Sequence, residues 1–310
     1  MAIVSSRSEI SSLHGEGEEK EEVRLEPLDS IWRTLGEPEI DFVKLDAEGE
    51  EENILKGGER FFTEGSPLVM FEIKSDSCHS TALLTAFEAL GYQSYRLIPG
   101  LGLLVPVSGD AGFDPFQINL FACKPARAAQ LAARNLLVMD AAGAPPSRPA
   151  VLPVLTGRPF AAGLASSWNE PLPGSALETA LACCLASEES TRPAAERWAL
   201  LLRSLTAFNE AIGTEDHPAT RLGLLRVLRN AGERSAALHT LHPLCTAGPD
   251  PASLAQACRE RPFLPPLPWW DTVPVHTTDE AWFAAMIADT AASSLHYSTA
   301  DSSSVTNAAI

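Results

Sequence analysis

Apolar and polar positions alternate in short blocks through the first 125 residues and with helical spacing after about residue 175. Ile40 to Leu45 reads as a strand that stops at Asp46, and Gly49 frees the backbone to enter a helix over Glu50 to Phe62. Ile54, Leu55 and Phe61 can form that helix's buried stripe. Leu68 to Ile73 is a nearly continuous apolar run, as expected of a strand covered on both faces in a parallel sheet. Ser80 to Leu90 has a helical pattern with Gly91 as its stop. Tyr92 to Ile98 and Gln117 to Cys123 read as further strands, and Val23 to Leu28 as a short one. The order β-α-β-α-β-β predicts an α/β sheet that finishes in an antiparallel pair.

Beyond that sheet the pattern is helical: Leu177 to Ala186, Ala194 to Ala211, Pro218 to Asn230 and Glu233 to Leu241. The last two, hinged at Asn230-Ala231-Gly232, have the outline of a helical hairpin similar to one tetratricopeptide-like unit. All five lysines lie within the first 124 residues, which puts a boundary near 125. A Pro/Ala-rich connector is expected over 126–174, a helical region over 175–300 and a disordered polar tail over 301–310. The acidic run Glu16 to Glu22 reads as a solvated loop or tail.

The 310 residues carry a formal charge of −17, which repels nucleic-acid backbones and anionic lipid, so neither nucleic acid nor membrane is an expected partner. The longest apolar stretch, Leu97 to Val107, is broken by Pro99, Gly100, Gly102 and Pro106, and Met1 to Ser12 lacks a signal-peptide core. A cytoplasmic address is expected. The six cysteines include no C-x-x-C pair, and the neighbours Cys183 and Cys184 suit buried apolar positions, so no structural metal is expected.

The densest constellation of chemistry runs from Asp41 to Glu51. Asp46 and Glu48 fall at the carboxyl end of one expected strand and Glu72 near the end of the next, where open parallel sheets bind ligands. Strand alternation puts Lys44 and Asp46 on one face. Such a cluster could act as a general base, grip a ribose hydroxyl or bind a divalent cation. Equally, it could be a charge cluster that only caps the following helix. Spacing leaves both open. Three other local signals are weaker. His239 and His242 have i, i+3 spacing but no third ligand, and Asp76 to His79 is a loop or helix cap. Trp269-Trp270 packs a Pro-rich segment onto the helices or anchors a partner.

The segment Val43-Lys44-Leu45-Asp46-Ala47-Glu48-Gly49, continued to Gly58, resembles the FkbM family of methyltransferases, with its K-x-D-x-E-G pattern. Leu28-Asp29, Val69 to Ile73, Leu90-Gly91-Tyr92 and Ile118-Asn119-Leu120 follow the family's order over roughly residues 1–125. The resemblance implies a class I (Rossmann-like) sheet and S-adenosylmethionine-dependent methyl transfer to a hydroxyl of a small-molecule or glycan acceptor. It implies Asp46 as the base or acceptor-orienting residue, with Glu48 able to do the same work or both able to hold a cation, and Lys44, Glu72 and Asn119 on the cofactor side; no metal ligand is assigned. Neither the family's glycine-rich loop nor the acid after its second strand is found here; Gly15-Glu16-Gly17 is an accidental match. The expectation is therefore the C-terminal part of such a sheet in a truncated product. A helical region would then serve a protein partner or a homo-oligomer. The alternative is a non-catalytic partner-binding protein with a vestigial methyltransferase half.

Overall fold

A computed structural model of the chain describes residues 2–7, 10–12, 19–22, 24–47, 49–73, 78–107, 114, 116–139, 150–169, 174–246, 250–275 and 280–295. It divides into two compact units, Met1–Leu97 with Leu104–Met139, and Ile98–Leu103 with Asp140–Ile310. The division falls at 139/140, where the lysine distribution put a boundary near 125. The helix that follows residue 125 belongs to the sheet unit.

The first unit opens with β1 (Ala2–Arg7), β2 (Ile10–Ser12) and β3 (Glu19–Glu22), an antiparallel sheet in the order β2-β1-β3. Glu19–Glu22 is thus a strand, paired with Ala2 to Ser5, and corrects the expectation of a loop there. Residues 24–27 form no strand, and Leu28 instead begins helix α1 (Leu28–Thr34) directly after Pro27. Then follow β4 (Phe42–Leu45), α2 (Glu51–Gly57), β5 (Leu68–Glu72), α3 (Cys78–Ala89), β6 (Gln93–Ile98), β7 (Leu103–Pro106), β8 (Asn119–Cys123) and α4 (Pro125–Ala133). Five of these strands make a mixed sheet in the order β4-β5-β8-β6-β7. β4 and β5 run parallel, and β8 runs antiparallel between β5 and β6. The antiparallel finish is as expected. β7, built from the Gly/Pro-broken apolar stretch, was not foreseen.

Alternation sorts the side chains. Leu45, Val69, Phe71, Leu120 and Ala122 point into a core with Trp32, Leu55, Phe61, Phe62 and Phe87. The other face packs Tyr95, Leu104 and Cys123 against Ala128 and Leu137. Edge-to-face contacts among Trp32, Phe61, Phe62 and Tyr92, with centroids 5.0–6.4 Å apart, add directional packing to the burial.

The helix expected over Glu50 to Phe62 is interrupted. α2 ends at Gly57-Gly58, where Gly58 sits so close to Leu28 that an added Cβ would lie 2.8 Å from its Cδ2. A wide helical turn, Phe61–Gly65, resumes the path. It is anchored by Asp29, whose carboxylate accepts the backbone N–H groups of Arg60 at 3.1 Å and Phe61 at 2.8 Å. The side chain supplies from 31 residues away what an N-cap supplies locally.

The second unit is helical. Its helices are α5 (Val151–Thr156), α6 (Ala176–Ser187), α7 (Ala194–Thr214), α8 (Pro218–Ala231), α9 (Arg234–Thr246), α10 (Pro251–Glu260) and α11 (Glu280–Leu295). The hairpin α8–α9 turns at Gly232, whose φ of 80° is the left-handed conformation glycine adopts freely. Within the stretch expected as connector, residues 150–169 are packed, with Leu155, Phe160 and Leu164 fully buried. Trp270 packs edge-to-face on Trp282, while Trp269 stays half exposed.

At the centre of this unit lies a charge network that the sequence patterns did not reveal. Arg226, 1% exposed, donates to both Glu188 oxygens (2.6 and 2.7 Å), both Asp271 oxygens (2.9 Å each) and the Pro265 carbonyl at 3.2 Å. Arg158 pairs with Asp271 and lies 3.7 Å from Glu188, so two arginines face two carboxylates. Burial opposes the Arg226 charge, but Glu188 and Asp271 outweigh it and hold the guanidinium pKa above its ordinary value. Burial likewise pushes Glu188 up, and the two arginines and Asn230 reverse this to a net lowering. The lone arginine inside Leu224-Leu225-Arg226-Val227-Leu228 was the available signal.

Candidate functional site

β4 and β5 run in register, Lys44 opposite Met70 and Leu45 opposite Phe71. The next positions, Asp46 and Glu72, therefore meet at the carboxyl ends of the two strands. Glu72 is in turn directly opposite Asn119 at the start of β8. Three polar side chains from three strands thus form one row along the sheet's carboxyl edge. On the same face, one pleat back, lie Lys44, Met70 and Phe121. β4 is the outer strand of this sheet, so the row ends at its edge.

Lys44 Nζ lies 2.9 Å from Asp46 Oδ2, as alternation along the strand requires. The hydrogen bond from Lys44 holds the Asp46 carboxyl below its ordinary value of 3.8, burial only partly opposing it, and a hydrogen bond with the Glu72 side chain adds to the lowering. Lys44 is raised above its ordinary value, first by the hydrogen bond to Asp46 and then by its charge, with Glu72 contributing. Both groups stay charged across the physiological range. The side chains of Lys44 and Asp46 are 57% and 34% exposed, so an incoming ligand can reach them.

The loop after β4 is organised by Glu51. Its carboxylate accepts the N–H of Ala47 at 3.0 Å and of Gly49 at 3.3 and 3.0 Å through its two oxygens. Gly49 has φ of 104°, a conformation costly for any residue with a Cβ. Glu50 precedes the helix and bonds Asn53. Glu51 thus clamps the loop ahead of the helix, and Glu50, at the N-cap position, makes no side-chain capping hydrogen bond, whereas Lys44, Asp46 and Glu72 lie together at the strand ends. Glu48 lies outside the described residues, as do Gly15 to Gly17, Asp76, Ser77 and the tail 301–310.

Among the described residues no group of three or more histidines, cysteines, aspartates or glutamates is placed to hold a metal ion. Among them, too, no helix is long and apolar enough to cross a membrane. The row offers a hydroxyl-bearing molecule two carboxyl groups, an amide and an ammonium.

Residues 2–94 match the family model described as Methyltransferase FkbM domain, a span that takes in α1, β4, the loop held by Glu51, β5 and α3. No curated protein and no solved structure matches the chain.

Proposed function

With residues 2–94 assigned to the FkbM methyltransferase domain, we propose that the protein transfers a methyl group from S-adenosylmethionine to a hydroxyl oxygen of a sugar or natural-product acceptor. The reaction is placed at the row Lys44, Asp46, Glu72 and Asn119. The observation that carries this reading is the convergence of Asp46, Glu72 and Asn119 from three strands at the sheet's carboxyl edge, where α/β sheets bind ligands.

S-adenosylmethionine, when bound, supplies a methyl group activated by a sulfonium charge. Two carboxyl groups beside one ammonium fit the neighbourhood of that cation and of an acceptor hydroxyl. A glycine-rich turn that would cradle the adenosine is not found among the described residues. Asp46, held ionised by Lys44, is a strong hydrogen-bond acceptor and a weak Brønsted base. Its role is to accept the hydrogen bond of the acceptor hydroxyl and so orient the oxygen lone pair. Glu72, at the end of the neighbouring strand and registered with Asn119, flanks that carboxylate.

The test is transfer of labelled methyl from S-adenosylmethionine to a panel of polyhydroxylated acceptors. Asp46→Asn should lower kcat/KM by about 10²-fold or more while circular dichroism stays unchanged. Turnover equal to wild type would remove Asp46 from the mechanism. A second reading, a partner-binding protein with a vestigial methyltransferase half, draws on the lack of a glycine-rich turn among the described residues. Absence of any S-adenosylmethionine binding by the folded chain would favour it.

A further inference from the structure

The C-terminal turn of α11 meets two arginines of the α8–α9 hairpin. Arg229 Nη1 donates to Ser294 Oγ at 2.6 Å, and Arg229 Nη2 to Ser293 Oγ at 3.1 Å. Arg234 Nη2 bonds the Ser294 backbone carbonyl. Both serine hydroxyls donate onward to the Thr290 carbonyl, at 3.0 Å from Ser293 and 2.7 Å from Ser294. Arg229 therefore directs two donors of its planar fork at neutral oxygens on adjacent residues, with a second guanidinium alongside.

The two guanidinium groups also act on each other. Burial lowers the Arg229 pKa and the neighbouring Arg234 charge lowers it further, with Asp289 opposing. Asp289 Oδ2 also accepts the indole N–H groups of Trp269 at 2.9 Å and Trp270 at 2.8 Å. The guanidinium fork matches a phosphoryl group better than a hydroxyl.

We propose that Ser293 is a phosphorylation site whose phosphoryl group is read by Arg229 and Arg234. The attached group is favoured over a free anion because the Arg229 donors are aimed at the serine Oγ atoms themselves. Ser293 rather than Ser294 is the acceptor because Ser294 is only 5% exposed, whereas Ser293 is half-buried and reachable when the helix end frays. In the modification a protein kinase supplies a nucleoside triphosphate. The Ser293 O–H bond and the terminal phosphoanhydride P–O bond break, and the Oγ–P bond forms. The nucleoside diphosphate leaves, and the proton passes to the kinase's base. The product loses the hydroxyl's bond to the Thr290 carbonyl and gains charge-assisted bonds to the arginines. A phosphate at a helix C-terminus is otherwise repelled by the helix dipole, so the modification acts as a switch. It ties α11 to the α8–α9 hairpin where the arginines are present and loosens the helix end where they are not.

The test uses the full chain carrying phosphoserine installed at position 293, followed by ³¹P NMR against pH. Pairing with two guanidinium groups should lower the second phosphate ionisation by about one pH unit from its ordinary value near 6. The thermal midpoint of the helical unit should also rise relative to the unmodified chain. Arg229→Gln and, separately, Arg234→Gln should each return the ³¹P titration toward the ordinary value. A wild-type titration at the ordinary value, or a midpoint that falls on phosphorylation, would overturn the proposal. A midpoint rise of equal size in the unmodified chain with inorganic phosphate would overturn it too, by making the site one for free anions.

Discussion

Replacing Arg226 by methionine tests the packing logic of the helical unit most sharply, because it keeps an unbranched apolar stem and removes the charge and donors of the guanidinium. The substitution deletes five hydrogen bonds and leaves Glu188 and Asp271, 18% and 12% exposed at their side chains, without their main partner. Breaking a buried pair from one side costs about 3–5 kcal/mol, most of it the penalty of the stranded charge. Arg158 remains bonded to Asp271 and within 3.7 Å of Glu188, which places the loss near the lower figure, about 3 kcal/mol. For a unit of this size that is a fall of roughly 6–12 °C in thermal midpoint. The assay is thermal and urea unfolding followed by far-ultraviolet circular dichroism. Glu188→Gln added to Arg226→Met should cost less than the two single losses combined, by about 1 kcal/mol or more, since it removes the stranded charge. A loss below about 1 kcal/mol for Arg226→Met, or strict additivity of the pair, would refute the view that this network is charge-coupled.

Other outcomes follow from single contacts. Asp29→Ala should cost about 1–2 kcal/mol, because two backbone N–H groups at Arg60 and Phe61 lose their acceptor; urea unfolding of the chain measures it. Gly58→Ala forces a Cβ to within 2.8 Å of Leu28 and 3.1 Å of Phe62 and should destabilise the sheet unit by about 1–3 kcal/mol. Tolerance within experimental error would mean that Leu28 can move aside. The Glu188 pKa is lowered from 4.5 in the folded chain, so the stability it contributes is complete above the unfolded value and is lost as pH falls through the lower, folded one. The midpoint of the helical unit should therefore be insensitive to this group from pH 7 to about 5 and fall below that. Glu188→Gln should flatten the acid limb, and an unchanged limb in that variant would count against the assignment.

The strands around the site were legible because their apolar runs and stop residues are local signals. Leu68 to Glu72 and Asn119 to Cys123 appear within a residue or two of where the pattern put them. The meeting of Lys44 and Asp46 was legible for the same reason, alternation along one strand. The break at Gly57-Gly58 was not, because it depends on Leu28 and Asp29 arriving from a distant part of the chain. Nor was β3, where an acidic tetrapeptide with little strand propensity is recruited by pairing to β1. The split of the acidic cluster into a loop clamp, Glu51, and a strand-edge group, Asp46 with Glu72, could not be read from spacing. Both roles need a carboxylate near a helix start, and only the register between β4 and β5 separates them. Arg226 hid in plain view, since its partners Glu188 and Asp271 are 38 and 45 residues away.

The central question is whether the strand-edge row meets the cofactor and its acceptor. The direct measurement is a titration of the ¹⁵N-labelled full chain with S-adenosylhomocysteine, followed residue by residue in amide chemical shift. Saturable shifts centred on Lys44 to Gly49, Glu72, Ile73 and Asn119 are expected, lost or weakened in Asp46→Asn. A folded chain that shows no shift at those amides, or shifts confined to the helical unit, would contradict that expectation.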